Sequence, residues 1–332
     1  MTPPLAIGID LGGTNIKAAI VDRDGNIVHR LEQPTEASRG PGPVIDDLAD
    51  IVRRLSTPPL PPGSDEPTEE GGSEGRGEGT VDLVIGIGLA TPGPLNLREG
   101  RIIRGANLPA WKDVSIRDAL RQKTGLPVML ENDGNAAAYG EYRCGAGRDG
   151  GDLVMLTLGT GVGAGVILDG RILHGHFDNA AELGHMIVLG DGLPCPCGQR
   201  GCLEQYASAN AIVHRVLHAG PDHKYDAPRA IRAEDVARAA ANGDSLCGRV
   251  WDDACLYLAI ACVNIQHTYN PSKIVLGGGL GNAGAQLLDR VKAYFRRHTW
   301  SLHADAPEIV LSQLGSDAGV IGAAMLAFLP TA

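Results

Sequence analysis

The sequence predicts an α/β fold in which one domain is used twice, with a cleft where the two copies face each other. Residues 7–28, IGIDLGGTNIKAAIVDRDGNIV, and residues 153–173, LVMLTLGTGVGAGVILDGRIL, repeat one order of features: apolar strand, Gly/Thr turn, apolar strand, Asp-Gly turn, third strand. Helical stretches and further strands follow each copy, VDLVIGIGL and PVMLEND in the first half, KIVLGGGL and PEIVLS in the second. Strands alternating with helices belong to the α/β class. The domains expected are 1–132 and 133–332, and a ligand is expected between them.

In chain order, Asp10-Leu11-Gly12-Gly13-Thr14 joins the first two strands. Its glycines can present backbone N–H groups and Thr14 a hydroxyl to a phosphate oxygen, while Asp10 can hold Mg²⁺ directly or through water. Residues 58–79, PPLPPGSDEPTEEGGSEGRGEG, carry six acids against one Arg and too little apolar surface to repay ordering. They read as a flexible surface insertion. Asn107, in GANLPAW, is either a polyol ligand or part of a turn.

Glu131-Asn132-Asp133-Gly134-Asn135 follows the strand PVML and precedes the helical AAAYGEY, so it stands at the C-terminal end of a strand, where open α/β sheets bind ligands. Asp133 suits a general base for a hydroxyl proton and Asn132 can bond a polyol; the alternative is that Asn132 or Asp133 is only a helix N-cap. Gly159-Thr160-Gly161-Val162-Gly163 repeats the phosphate chemistry of the first turn. Neither turn matches the P-loop or a helix-opening G-x-G-x-x-G, and a Gly-rich hairpin taken singly is more often only a tight turn. Gly277-Gly278-Gly279, after KIVL, would let an adenosine lie against backbone.

His185, Cys195, Cys197 and Cys202 stand at H-x9-C-x-C-x4-C spacing in a Gly/Pro-rich segment, 185–202. Cys3His is a common closed set for structural Zn²⁺. A disulfide is the alternative, but Cys195 and Cys197 are too close to pair comfortably and one cysteine would be left over. Glu182 and Glu204 flank the cluster, so a metal there would fix two carboxylates. Cys255 and Cys262 share one face of an expected helix and read as core.

Composition narrows the partners. The formal charge of -10 argues against nucleic acid or an anionic membrane, and no apolar run is long enough to span a bilayer. The absence of a leader pattern and the odd count of 7 cysteines fit a reducing, cytoplasmic setting.

DLGGTNIK, ENDGNAAAYGE, LTLGTGVGAG, AAELGH, CPCGQRGCLE and VLGGGL occur in one order along nearly the whole chain. On these motifs it resembles the ROK family of sugar kinases, its glucokinase branch in particular. The resemblance implies a duplicated actin-like ATPase (ribonuclease H-like) fold, with ATP and Mg²⁺ phosphorylating the 6-hydroxyl of glucose; an N-acetylmannosamine or N-acetylglucosamine kinase is the alternative. It implies Asp133 as general base, structural zinc on His185 and the three cysteines, and sugar hydroxyls on Asn107, Asn132, Glu182, His185 and Glu204. Nucleotide phosphates and Mg²⁺ would fall to Asp10, Gly12, Gly13, Thr14, Lys17, Gly159, Thr160, Gly161, Gly163 and Gly278. A homodimer or homotetramer is also implied. Two departures stand out: Asn15 where many relatives carry Lys, which leaves charge neutralisation to Lys17 or Mg²⁺, and the acidic insertion. Repressors of the same family carry a helix-turn-helix ahead of the first turn, where only a handful of residues precede Ile7 here. A filament-forming, actin-like role has no need of ENDGN beside a metal-held acid pair.

Overall fold

The computed structural model describes residues 3–56, 84–105, 108, 110–219, 231–300 and 305–329, so the insertion expected at 58–79 and Asn107 lie outside the described residues. Within the rest, the chain forms two compact units, Met1–Ala136 with Gly319–Ala332, and Ala137–Ala318.

The first unit is built on β1 (Leu5–Leu11), β2 (Asn15–Val21), β3 (Ile27–Pro34), β4 (Val84–Thr91) and, after the three-stranded sheet of β5 (Leu95–Asn96), β6 (Arg101–Arg104) and β7 (Lys112–Val114), β8 (Val128–Asn132). The main sheet runs β3-β2-β1-β4-β8. The hairpin pairs are antiparallel, whereas β1 pairs β4 and β4 pairs β8 in parallel. The Asp-Gly turn forms as expected: Gly25 takes a positive φ of 86° and the Asp22 carboxylate accepts the amides of Asp24 and Asn26.

Alternation along the strands gives this sheet two unlike faces. Ile7, Ile9, Leu11, Ile87 and Leu89 join the core of α1 (Pro41–Ser56), whose buried Val44, Ile45, Leu48, Ile51, Val52 and Leu55 recur at helical spacing. Burying each such side chain contributes roughly 1.5–3 kcal/mol. On the other face Gly8 and Gly88 replace side chains with space. A Cβ at Gly8 would fall 1.9 Å from the carbonyl oxygen of Val320, and one at Gly88 1.7 Å from that of Ala323. The C-terminal helix therefore lies directly on the sheet backbone.

The second unit repeats the topology. β9 (Leu153–Leu158), β10 (Val162–Leu168), β11 (Arg171–Ile172), β12 (Lys273–Gly277) and β13 (Glu308–Leu311) run β11-β10-β9-β12-β13, again with an antiparallel hairpin side and a parallel side. Helices from this unit cover the sheet. The 25-residue helix Ser245–Tyr269 is N-capped by Asp244, which accepts the Cys247 amide, and ends at Asn270 in the left-handed region. It buries Cys255 and Cys262, whose thiols burial pushes up to about 12, so both are inert core groups.

The expected boundaries need correction. The expected domains met at 132/133 and the second ran to 332, but the first unit extends to Ala136 and takes back the chain from Gly319. The physical reason is the close approach through Gly8 and Gly88, which docks α9 (Ala318–Leu326) on the first sheet. Gly88→Ala should lower the urea midpoint by the equivalent of about 1–3 kcal/mol, because the obstructing atom is backbone and cannot rotate away. An unchanged midpoint would show that α9 is free to lift.

Candidate active site

Parallel pairing brings the C-terminal ends of β1, β4 and β8 to one edge, and the register Asp10↔Ala90↔Glu131 sets those residues in a row on the face that meets α9. Gly319 in the first turn of α9 lies against Asp10, where a Cβ would come 2.8 Å from Oδ2. Lys17 stands opposite Asp10 across the β1–β2 pair. Burial, and next the carboxylate of Asp133, push Asp10 up to about 6, while Lys17 pulls it down.

Asp133 opens the helix α3 (Asp133–Cys144) immediately after β8. The sequence left open whether it is only a cap, and the hydrogen bonds separate the roles. The Asn132 Oδ1 accepts the amides of Gly134 (2.9 Å) and Asn135 (3.2 Å), so Asn132 is the capping side chain. Asp133 receives the adjacent Gly134 amide at 2.9 Å, and burial pushes its carboxyl above the ordinary range. Asn132 has then only its NH2 to offer a ligand. Glu131, buried, accepts from the Asn132 amide at 2.9 Å and the Asn135 side chain at 3.0 Å, fixing this turn from below.

The first glycine turn is tighter than its sequence suggested. Its Gly12 amide donates to Asn15 O (3.0 Å), so that N–H is spent inside the turn. The buried Thr35 braces it, donating its hydroxyl to Gly12 O (2.6 Å) and its amide to Thr14 O (2.8 Å). Thr14 stays exposed and Gly13 half-buried, which leaves these two to meet a phosphate. Asn15 donates to Glu32.

In the second unit the Gly159 amide donates to Gly161 O (3.0 Å), and Gly163 lies within β10 opposite Thr157. Thr160 is the exposed tip. Glu204, the first residue of α4 (Glu204–Ala207), reaches this turn: its Oε2 accepts the Val162 amide at 2.9 Å and would sit 2.4 Å from a Cβ on Gly161. Gly278, at φ 77°, packs its backbone on Leu158, where a Cβ would come 2.6 Å from the carbonyl oxygen. Next to it Gly279, Leu280, Ala237 and Gln286 line a cavity of about 430 Å³.

Glu182 and His185 bound the short 3₁₀ turn Leu183–His185, three residues apart and so on one side of it. Gly184 lets this turn lie on β10, since a Cβ there would be 2.0 Å from Val162 O. The segment then folds back on itself through Val188 N to Gly201 O (2.9 Å) and Leu203 N to Met186 O (2.9 Å). Ligand atoms of His185, Cys195, Cys197 and Cys202 all fall within 4.8 Å of one another. Cys195 Sγ is 3.7 Å from His185 Nδ1 and Cys197 Sγ is 3.7 Å from Cys202 Sγ. Ligands about 2.3 Å from a tetrahedral zinc stand roughly 3.8 Å apart, so the donor set fits that ion. Burial and then the two neighbouring thiols push Cys202 up to about 12, a penalty that a bound cation removes.

Sequence reasoning gave no role to Thr35, Glu131 and Asn135, which brace the turns that carry the candidate residues. Only spacing within ENDGN hinted at the last two.

A family model described as the ROK family matches residues 76–328. A glucokinase from Halalkalibacterium halodurans is 38% identical, covering 96% of this chain and 94% of its own. Among solved structures, a ROK hexokinase from Thermus thermophilus aligns at TM-score 0.78 and 32% identity over 98% of each chain. A ROK family glucokinase from Streptomyces griseus in complex with glucose and AMPPNP aligns at 0.76 and 32% identity, over 98% of this chain and 99% of that one.

Asp10 keeps its proton to a higher pH folded than unfolded, so between about pH 4 and 6 the folded state binds more protons and the ligand-free protein loses stability as pH rises. Asp10→Asn should therefore melt higher than the parent at about pH 7.5, with a smaller gap at about pH 5. Thermal melts at the two pH values check this, and an equal gap at both would mean that Asp10 does not titrate in the window.

Proposed function

This chain is a member of the ROK family, and we propose that it uses ATP to phosphorylate the 6-hydroxyl of glucose, with Asp133 as general base. The observation that carries the reading is Asp133 itself: an enclosed carboxylate at a strand end, relieved of capping by Asn132, in the same unit as a phosphate-sized glycine turn. Relatives named glucokinase that match over nearly their full length support glucose over an N-acetylhexosamine.

Each group then has a task. Asp133 takes the proton of the attacking hydroxyl, and burial raises its basicity toward what proton abstraction near neutral pH requires. Asp10 would hold Mg²⁺, which supplies charge neutralisation at the phosphates, and Lys17 adds to it. Gly13 and Thr14 of the first turn and Thr160 and Gly161 of the second offer donors to the phosphate oxygens, while Gly12, Gly159 and Gly163 serve the shape of the turns. The cavity beside Gly278 and Gly279 suits the base in size and apolar lining.

Sugar hydroxyls fall to Asn107, Asn132, Glu182, His185 and Glu204. A zinc on His185, Cys195, Cys197 and Cys202 is structural here: with Nδ1 turned to the sulfurs, the His185 Nε2 is left to donate to a hydroxyl. The odd count of 7 cysteines suits a reducing cytoplasm. We also read the protein as a homodimer or homotetramer, on family resemblance alone.

Asp133→Asn should lower kcat on the order of a hundredfold or more with glucose affinity little changed. Activity within a few-fold of the parent, in a coupled ADP-release assay, would remove Asp133 as the base. The same assay over hexoses and N-acetylhexosamines should rank glucose first by kcat/KM; a higher value for N-acetylmannosamine or N-acetylglucosamine moves the substrate and keeps the kinase. Cys197→Ala should release about one zinc per chain and raise the KM for glucose. Elemental analysis that finds no zinc in the parent protein rules the metal out.

A further inference from the structure

Inside the second unit is a fully buried carboxylate that phosphoryl transfer does not touch. Glu141 is 0% exposed and stands in α3, two turns beyond Asp133. One carboxylate oxygen accepts the Ser312 hydroxyl (2.5 Å) and the Leu314 amide (2.8 Å); the other accepts the amides of Ala146 (2.7 Å) and Gln313 (3.2 Å). All four donors are neutral. Gly145 leaves the room, since a Cβ there would lie 2.2 Å from Oε2. Without this side chain one hydroxyl and three amides would lose their acceptor, so the four hydrogen bonds specify which segments meet here.

That arrangement has a place in the chain. The backbone passes between the two units twice, after Ala136 and after Ala318. Glu141 lies just beyond the first crossing, and Ser312–Leu314 just before the second. Within the second unit, one side chain therefore ties together the two segments that lead out of it. At the far end of the first segment is Asp133; at the start of the helix that follows the second is Gly319, against Asp10. A slip of either segment would be carried to a carboxylate of the proposed reaction.

We propose that Glu141 is a positioning residue for phosphoryl transfer, setting the aim of Asp133 and Asp10 by holding the roots of α3 and α9 together. The inference rests on the kinase reading. A residue that only stabilised the fold would lower the melting temperature and leave turnover of the folded enzyme alone; a positioning residue lowers kcat while sugar binding persists. Glutamine at this position would set an NH2 group against two of the donors that now meet an oxygen.

The test uses the full-length protein and four readouts: kcat at saturating ATP and glucose, KM, glucose Kd by calorimetry, and melting temperature. Glu141→Gln should lose about ten- to a hundredfold in kcat with glucose Kd within about threefold of the parent, the loss expected for a small misplacement of reacting groups. Should that variant fail to fold, Ser312→Ala, which removes a single donor, decides: it should lose about three- to tenfold in kcat, and Ser312→Thr, which keeps the hydroxyl, should restore it. A lowered melting temperature with unchanged kcat in Glu141→Gln, or in Ser312→Ala where the first variant does not fold, overturns the positioning role. A parent enzyme that transfers phosphate to no sugar instead overturns the kinase reading on which it stands.

Discussion

Two carboxylates, Asp10 near the end of β1 and Asp133 just after β8, stand at one edge of the first sheet with β4 between their strands, in surroundings that oppose their charge, and much of the first unit is arranged around that opposition. Parallel pairing of β1, β4 and β8 puts the strand ends on one edge, and side-chain alternation decides which residues meet α9. Gly8 and Gly88 admit the helix backbone to the same face. Asn132 takes over the capping that would otherwise occupy Asp133, and Lys17 offsets part of the burial at Asp10. An acid whose pKa burial raises in this way is a poor stabiliser of the ligand-free fold near neutral pH.

The second unit meets a different problem, because its acids and imidazole sit on a segment with little regular structure. Glu182 and His185 belong to one 3₁₀ turn, and Glu204 begins a four-residue helix. Such short pieces hold a side chain only if something else pins them. Here the pins are the Gly184 contact with β10, the backbone bonds between residues 186–189 and 201–203, and the cluster of three sulfurs with His185. Glu204 adds another link by accepting the Val162 amide, so this segment and the second glycine turn share a carboxylate.

Much of this was legible in the residues. The duplicated strand-turn-strand signature appears as two sheets with the same strand order and polarity, because period-two apolar runs and Asp-Gly turns are local signals that no distant contact needs to supply. The Cys3His set was legible for the same reason: spacing within a short Gly-rich segment nearly dictates proximity. The division of labour inside ENDGN was not. Asn132 and Asp133 are both good caps by propensity, and only the hydrogen bonds of the folded turn assign the cap to the first. Nor could Gly12 be separated from Gly13, since both read as free donors until the turn closes on one of them.

The domain boundary shows the limit most plainly. By itself the sequence determined the repeat, the two glycine turns, the Cys3His cluster and the candidate base, all of them written in stretches of a few residues. Where the last helix belongs was decided only by tertiary structure. Ala318–Leu326 carries apolar residues that would suit either unit, and nothing in its own order selects one. The choice lies in Gly8 and Gly88, some three hundred and two hundred residues away, whose missing side chains let a helix backbone rest on the sheet. Steric complementarity between distant segments leaves no local pattern, and the joining of Glu141 to Ser312 and Leu314 is hidden from the sequence for the same reason.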